Sequence, residues 1–289
     1  MVETLKKRAA AYGLLAPGTI WLVVFFLIPL YFLGRLSLNV NVSGVYYPFD
    51  WHWQNYSDAL SLYNTQFVRS FIYSGLATLI CLALAYPLAY AIAFKAGRWR
   101  HAMLLAVVAP FFTTYLIRTI SWVTILSDES PVVSVLKFLQ IAPSGHVLFT
   151  APAVISGLVY NYLPFMVLPI YASLERLDTR LMEAAKDLYA NTRTTFLKVT
   201  LPLSAPGVVA GTLLTFIPAT GDYVNAEFLG APNNQMIGNV IQSLYLKQRE
   251  YPAAAALSFV LMAIILVIVL IYIRFAGSEA LMGEEAAGA

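Results

Sequence analysis

Six predominantly apolar stretches, each 20 to 28 residues long, constrain this chain more than any other feature. They run Tyr12–Leu36, Phe67–Phe94, Ala102–Leu126, Leu148–Tyr171, Ala205–Val224 and Ala253–Phe275. The fourth is expected to be broken by Pro152, Pro164 and Pro169, and the fifth by Pro206 and Pro218. About 20 apolar residues of helix cross the roughly 30 Å hydrocarbon core of a bilayer. Backbone N–H and C=O groups find no water there, so each stretch must satisfy them internally, as a helix does. The expected fold is an all-α membrane protein with six transmembrane helices, forming one transmembrane domain over residues 1–289.

Composition excludes the soluble alternatives. Hydrophobic residues make up 60% of the chain and charged residues 11%, against roughly 45–50% and 25% in soluble domains. So few charges cannot coat a water-facing surface, which excludes a cytosolic enzyme, a nucleic-acid binder and a disordered chain. The lone cysteine, Cys81, excludes an internal disulfide. Lys6, Lys7 and Arg8 precede the first stretch as in a signal peptide. That stretch is too long for a signal core and no small-residue cleavage pattern closes it, so a retained helix is expected.

Basic residues set the orientation. With the N-terminus in the cytoplasm, twelve of the eighteen lysines and arginines face inward, Arg98, Arg180 and Lys198 among them. Five lie outside: Arg35, Arg69, Lys137, Lys247 and Arg249. Both termini are therefore expected in the cytoplasm. Arg118 falls inside the third stretch, where an ionisable side chain is expected to be paired or functional. The external segment Asn39–Gln66 has no basic residue and carries Tyr46, Tyr47, Trp51 and Trp53, which suits a headgroup belt or a docking surface.

The segment 174–203, between the fourth and fifth stretches, is too long for a simple connection and rich in helix formers. Asp178 or Thr179 can cap a helix reaching about Tyr189. Its apolar positions Leu181, Ala184, Ala185 and Leu188 recur at helical spacing. Asn191 can cap a second helix ending before Pro202. Two short amphipathic helices on the cytoplasmic face form a ball for a partner's socket, or else lie on the lipid.

Within that segment Glu183, Ala184, Ala185, Asp187, Leu188, Ala190, Phe196, Leu201 and Pro202 stand at spacings that resemble the EAA loop of ABC importer permeases. The resemblance implies a type I permease whose coupling helix docks on an ATP-binding subunit. Tyr189 stands where that family usually has glycine. Either the turn has ordinary φ here, or the tyrosine is strained and fills part of the socket. Pro206-Gly207, Ala210-Gly211, Ile217-Pro218-Ala219-Thr220-Gly221-Asp222-Tyr223, Leu229-Gly230 and Met236–Gln242 extend the likeness, as do Thr114–Thr119 and Leu15–Gly18. These are similar to the first permease of the spermidine/putrescine branch, and imply polyamine import across a bacterial inner membrane.

The same resemblance implies the partners: a second homologous permease, two ATP-binding subunits and an extracytoplasmic solute-binding protein. No P-loop occurs, the histidines His52, His101 and His146 lack metal spacing, and no nucleophile elbow is present. The chain is thus expected to be no enzyme and to hold no cofactor, with ATP and Mg on the partner. For an extended cation the candidate pathway groups are Asp222, Tyr223 and, after them, Glu227, a carboxylate and a ring face near a Pro/Gly-bearing helix end. Arg118 would repel such a substrate and is expected to form an ion pair or gate, with Asp222 as one partner. The competing readings are another solute on the same architecture (an opine, an amino-acid derivative, a metal complex or an anion) and an ion-driven secondary carrier.

Overall fold

The computed structural model describes residues 15–42, 44 and 46–276. Lys6, Lys7, Arg8, the start of the first stretch and the tail 277–289 lie outside the described residues. The described chain is helical throughout, and its only extended pairing is an isolated bridge between Asn39 and Phe49.

Four helices are each long and apolar enough to span a bilayer: α1 (Leu15–Ser37), α3 (Asn64–Phe94), α7 (Ala151–Glu175) and α13 (Tyr251–Ala276). Two helix pairs are long and apolar enough only when taken together, each bent at a short break. The first joins α4 (Gly97–Phe112) to α5 (Tyr115–Ile125) at 95°, and the second joins α9 (Thr192–Leu203) to α10 (Ala205–Thr220) at 62°. Shorter helices fill the connections: α2 (Gln54–Leu62), α6 (Pro131–Phe138), α8 (Thr179–Asp187), α11 (Val224–Leu229) and α12 (Ile237–Gln242).

Two details depart from the sequence reading. The third stretch is not one straight helix. Pro110 lacks an N–H, the turn Ala109–Phe112 tightens to 3₁₀, and Thr113 and Thr114 are extended, so the chain turns sharply. The fourth stretch, which carries Pro152, Pro164 and Pro169, is instead one unbroken helix. Pro152 sits in the first turn, where no donor is lost, behind the Thr150 cap. Pro164 and Pro169 remain inside α7.

The chain divides into two compact units. The smaller comprises 15–64 and Ile241–Met262. Within it, Asn41 donates to Glu250 (2.6 Å) and the Tyr47 hydroxyl donates to the Arg249 carbonyl (2.6 Å). Trp51 and Trp53 stack at 6.4 Å and stay exposed, which leaves both readings of that segment open.

The larger unit comprises Thr65–Val240 and 263–276. Its centre is the packing of α7 against α10. A Cβ on Gly207 would lie 2.5 Å from the Pro169 carbonyl oxygen, and one on Gly211 2.9 Å from Met166 Sδ. These glycines, four apart, let two backbones touch, as small residues do between helices in lipid. Around this seam are two apolar clusters. One gathers Tyr73, Leu158, Tyr162, Leu229 and Met236, and the other Cys81, Ile92, Met166, Ile170 and Leu174.

Candidate functional site

Helix α10 ends at Thr220, so Gly221–Val224, which the fifth apolar stretch predicts as helix, lie beyond it. The next residues turn into α11. Gly221 and Asp222 are backed by Gly238, whose absent Cβ would sit 2.5 Å from the Gly221 carbonyl oxygen. Position 238 therefore tolerates no side chain while this turn holds.

The turn buries the Asp222 carboxylate at 6% exposure. Its Oδ1 accepts from the Asn225 backbone N–H (2.8 Å). Its Oδ2 accepts from the hydroxyls of Tyr115 and Tyr162 (the latter 3.0 Å) and from the Asn225 side-chain amide (3.3 Å). Asn225 also donates to the Tyr115 hydroxyl (2.6 Å), and Asn161 donates to the Asn225 oxygen (3.2 Å). Four donors from three elements converge on one carboxylate, with no basic residue among them. Charge-assisted hydrogen bonds of this kind are stronger than neutral ones, which explains how an isolated acid is held inside an apolar unit.

The bend between α4 and α5 makes this possible, since it opens α5 with Tyr115. It also gathers aromatic rings. Tyr162 lies 6.5 Å from Tyr115 and 6.2 Å from Phe165, and Phe165 lies 5.2 Å from Phe111. Tyr115 and Tyr162 meet the carboxylate through their hydroxyls, so an acidic group lies beside a cluster of aromatic side chains. Tyr223, the predicted aromatic neighbour, is 43% exposed. Glu227 is exposed and accepts from the Asn239 amide at 3.2 Å.

The expected Arg118–Asp222 pair is not formed. Arg118 is 9% exposed, and its guanidinium lies over the rings of Phe111 (5.3 Å) and Tyr115 (5.5 Å). Its Nε and Nη1 have no hydrogen-bond partner, and it meets no carboxylate among the described residues. The physical reason is competition: Asp222 is already satisfied by neutral donors, while the Phe111 and Tyr115 ring faces hold the cation. Tyr162, Phe111, Phe165, Asn161 and Asn225 escaped the sequence reading. Asn161 and Asn225 carried a usable signal, as polar side chains within or beside apolar stretches.

The second candidate region is the loop 174–203. Asp178 caps α8 by accepting from the Arg180 N–H (2.9 Å), and Asn191 caps α9 by accepting from the Thr194 N–H (2.8 Å). Helix α8 ends at Asp187, and α9 runs on through Pro202 to Leu203. Phe196 tethers the loop to α3, packing edge-on against Tyr86 (5.5 Å) and Tyr90 (6.3 Å). The Met182 sulfur accepts from Thr200 at 3.7 Å.

Leu181, Ala184 and Leu188 point outward, and Leu188 is 82% exposed. Glu183 instead shares the wall of a recess of about 310 Å³ with Tyr90, Phe94, Met182, Lys186 and Phe196. Replacing Phe196 by alanine is expected to free the loop from α3. A fully buried Phe→Ala change costs about 3–5 kcal/mol, and half-buried Phe196 should cost about half of that. Limited proteolysis should then cut between residues 176 and 198 several-fold faster than in the wild type.

The comparisons with known proteins agree with this architecture. Residues 19–278 match the family model described as binding-protein-dependent transport system inner membrane component. The spermidine/putrescine transport system permease protein PotB of Haemophilus influenzae is 38% identical over 256 residues, 88% of this chain and 90% of that protein. A bacterial ABC transporter that imports the acidic polysaccharide alginate superposes with a TM-score of 0.73 at 21% identity, covering 95% of this chain and 97% of the other. The alginate transporter solved with an alginate pentasaccharide-bound periplasmic protein gives 0.66 at 20% identity, covering 94% and 95%. A family match across most of the chain, with helices of spanning length and the same fold in a solved importer, leads to one conclusion: this chain belongs to the binding-protein-dependent transport system inner membrane components, as a multi-pass ABC importer permease of the bacterial inner membrane rather than an enzyme.

Proposed function

We propose that the chain is one of two permease subunits of an ATP-driven importer for polyamines of the spermidine/putrescine class. The observation that carries the substrate class is the 38% identity to a spermidine/putrescine permease over 88% of the chain. The chemistry around Asp222 supports it, because a carboxylate beside aromatic side chains suits an extended cation. Family membership sets aside an ion-driven carrier. Another solute on the same architecture is the reading that competes, and the alginate importer illustrates how far cargo varies on this fold.

In this reading residues 1–289 act as one permease domain with six spans, each bent pair counting as one, and both termini in the cytoplasm. The inward excess of lysine and arginine supports that orientation. The loop 174–203 then faces the cytoplasm, where Glu183, Ala184, Ala185, Asp187, Leu188, Tyr189, Ala190, Phe196, Leu201 and Pro202 form the coupling segment. Each of two ATP-binding subunits, which carry ATP and Mg, engages one such segment, so a second permease is required. An extracytoplasmic binding protein delivers the solute, as the periplasmic protein in the alginate complex exemplifies.

Asp222, Tyr223 and Glu227 line the route, and Arg118 pairs with a carboxylate of the second permease. A buried guanidinium with unpartnered nitrogens is costly, so such a partner stabilises the assembly. ATP-driven closure moves the coupling segments, and differential contacts in the two states switch access.

The test is purification of the tagged chain in mild detergent, followed by ATP hydrolysis with and without polyamine-loaded binding protein. Co-elution of an ATP-binding subunit and a second permease, with hydrolysis stimulated by spermidine or putrescine, is expected. An intact complex stimulated only by a different solute would reject the polyamine assignment. A chain that elutes alone and transports without ATP would reject the whole reading.

A further inference from the structure

Tyr189 is the most exposed large hydrophobic side chain among the described residues, at 98%, and its backbone has φ of +59°. The left-handed region is unfavourable for a residue with a Cβ, and tyrosine gains nothing there locally. The conformation is imposed by the way α8 ends. The Ala190 N–H reaches the Ala185 carbonyl (3.0 Å) and the Tyr189 N–H reaches the Lys186 carbonyl (2.9 Å). These are the two bonds of a Schellman termination, and Tyr189 occupies the position that glycine or asparagine normally takes. Glycine here would relieve the strain, and an exposed phenol ring buries nothing within this chain. A strained residue with its ring entirely in solvent is destabilising twice over, which points to a function outside the chain.

The surroundings say what covers it. Leu181, Ala184 and Leu188 form an outward apolar stripe on α8, and Tyr189 continues it at the tip. The opposite side of the loop is tied down through Met182–Thr200 and Phe196–Tyr86. The stripe and ring are therefore held in place before any partner arrives. A lipid surface is a poor match. Helices that lie on anionic membranes carry a strongly basic polar face, whereas α8 balances Arg180 and Lys186 with Glu183 and Asp187 and is capped by Asp178.

We infer that Tyr189 is the anchor residue of the coupling segment, its ring inserting into an apolar socket of the ATP-binding subunit, with Leu188 and Leu181 completing the contact. This rests on the permease reading above and deepens it. The turn is kept in a conformation that favours glycine so that a rigid aromatic side chain stands at the apex. Buried aromatic side chains are the usual energetic centres of protein interfaces.

The test uses the detergent-solubilised pair of permeases, titrated with the purified ATP-binding subunit of the same transporter. Tyr189→Gly, Tyr189→Asn and Tyr189→Ala are expected to weaken binding about ten-fold or more, the effect of one lost anchor. Tyr189→Phe keeps the ring and should stay within about three-fold of wild type. Tyr189→Gly should also raise the melting temperature of the permease pair, because it removes the strain. Wild-type binding by Tyr189→Gly would overturn the inference, whatever its melting temperature. So would a Tyr189→Gly protein that holds the ATP-binding subunit normally but loses affinity for vesicles of anionic phospholipid. A wild-type pair that does not bind the ATP-binding subunit at all would overturn the permease reading instead.

Discussion

Replacing Asp222 by alanine is expected to abolish ATP-driven polyamine uptake, by at least about a hundred-fold, with a large loss of stability. The carboxylate is the common acceptor for the Tyr115 and Tyr162 hydroxyls and for both Asn225 donors. Each buried donor left unmade costs about 1–3 kcal/mol, and such losses within a single network are not additive. Asparagine is the sharper variant. It keeps the volume, removes the charge and sets an NH2 group where donors already converge. Asp222→Asn should assemble at reduced yield and lose uptake of the cation at least ten-fold. Size-exclusion profiles check assembly, and labelled spermidine and putrescine check uptake. An Asp222→Asn complex that assembles and transports polyamine at the wild-type rate would remove Asp222 from the pathway and leave it a purely structural acceptor.

The second large effect is steric. Gly207→Val should prevent the chain from assembling. Its Cβ would fall 2.5 Å from the Pro169 carbonyl oxygen and 2.6 Å from Ser173 Oγ. The first neighbour is backbone, which cannot rotate away, so α7 and α10 must separate along the seam that centres the larger unit. Even Gly207→Ala requires that movement. Overpacking of this sort costs about 1–3 kcal/mol, more than the roughly 1 kcal/mol that alanine gains over glycine in helix propensity. Gly75, by contrast, lies in α3 with nothing within 4 Å of its missing Cβ. Gly75→Ala should melt at or above the wild-type temperature. The comparison of melting temperatures for the two alanine variants isolates the close approach from the general effect of adding a methyl.

What could be read from the sequence was local. The apolar stretches fall on the four long apolar helices and on the two bent pairs, because hydropathy and backbone satisfaction are properties of a segment alone. Asp178 and Asn191 were legible as caps for the same reason: each bonds an N–H two or three residues on. The bend at Thr113–Thr114 was hidden because the residues on both sides are equally apolar, so hydropathy runs straight through a 95° turn. Pro164 and Pro169 misled in the opposite sense, as α7 continues through both. The polar members of the network on Asp222 were legible one by one, but not their meeting. Tyr162 and Tyr115 reach it from 60 and 107 residues away, and no spacing rule encodes such a meeting. The direction of the apolar stripe on α8 was also beyond reach, since periodicity identifies a face but not what the face meets.

The central claim, ATP-driven import of a polyamine through this permease, is tested most directly by reconstitution. The complete complex would be placed in liposomes with ATP enclosed, and uptake of labelled spermidine and putrescine followed with the binding protein outside. The account predicts saturable accumulation that requires enclosed ATP and the binding protein, and that falls at least ten-fold with Asp222→Asn. Accumulation without ATP, or ATP-dependent uptake of a different solute with polyamines ignored, would contradict it.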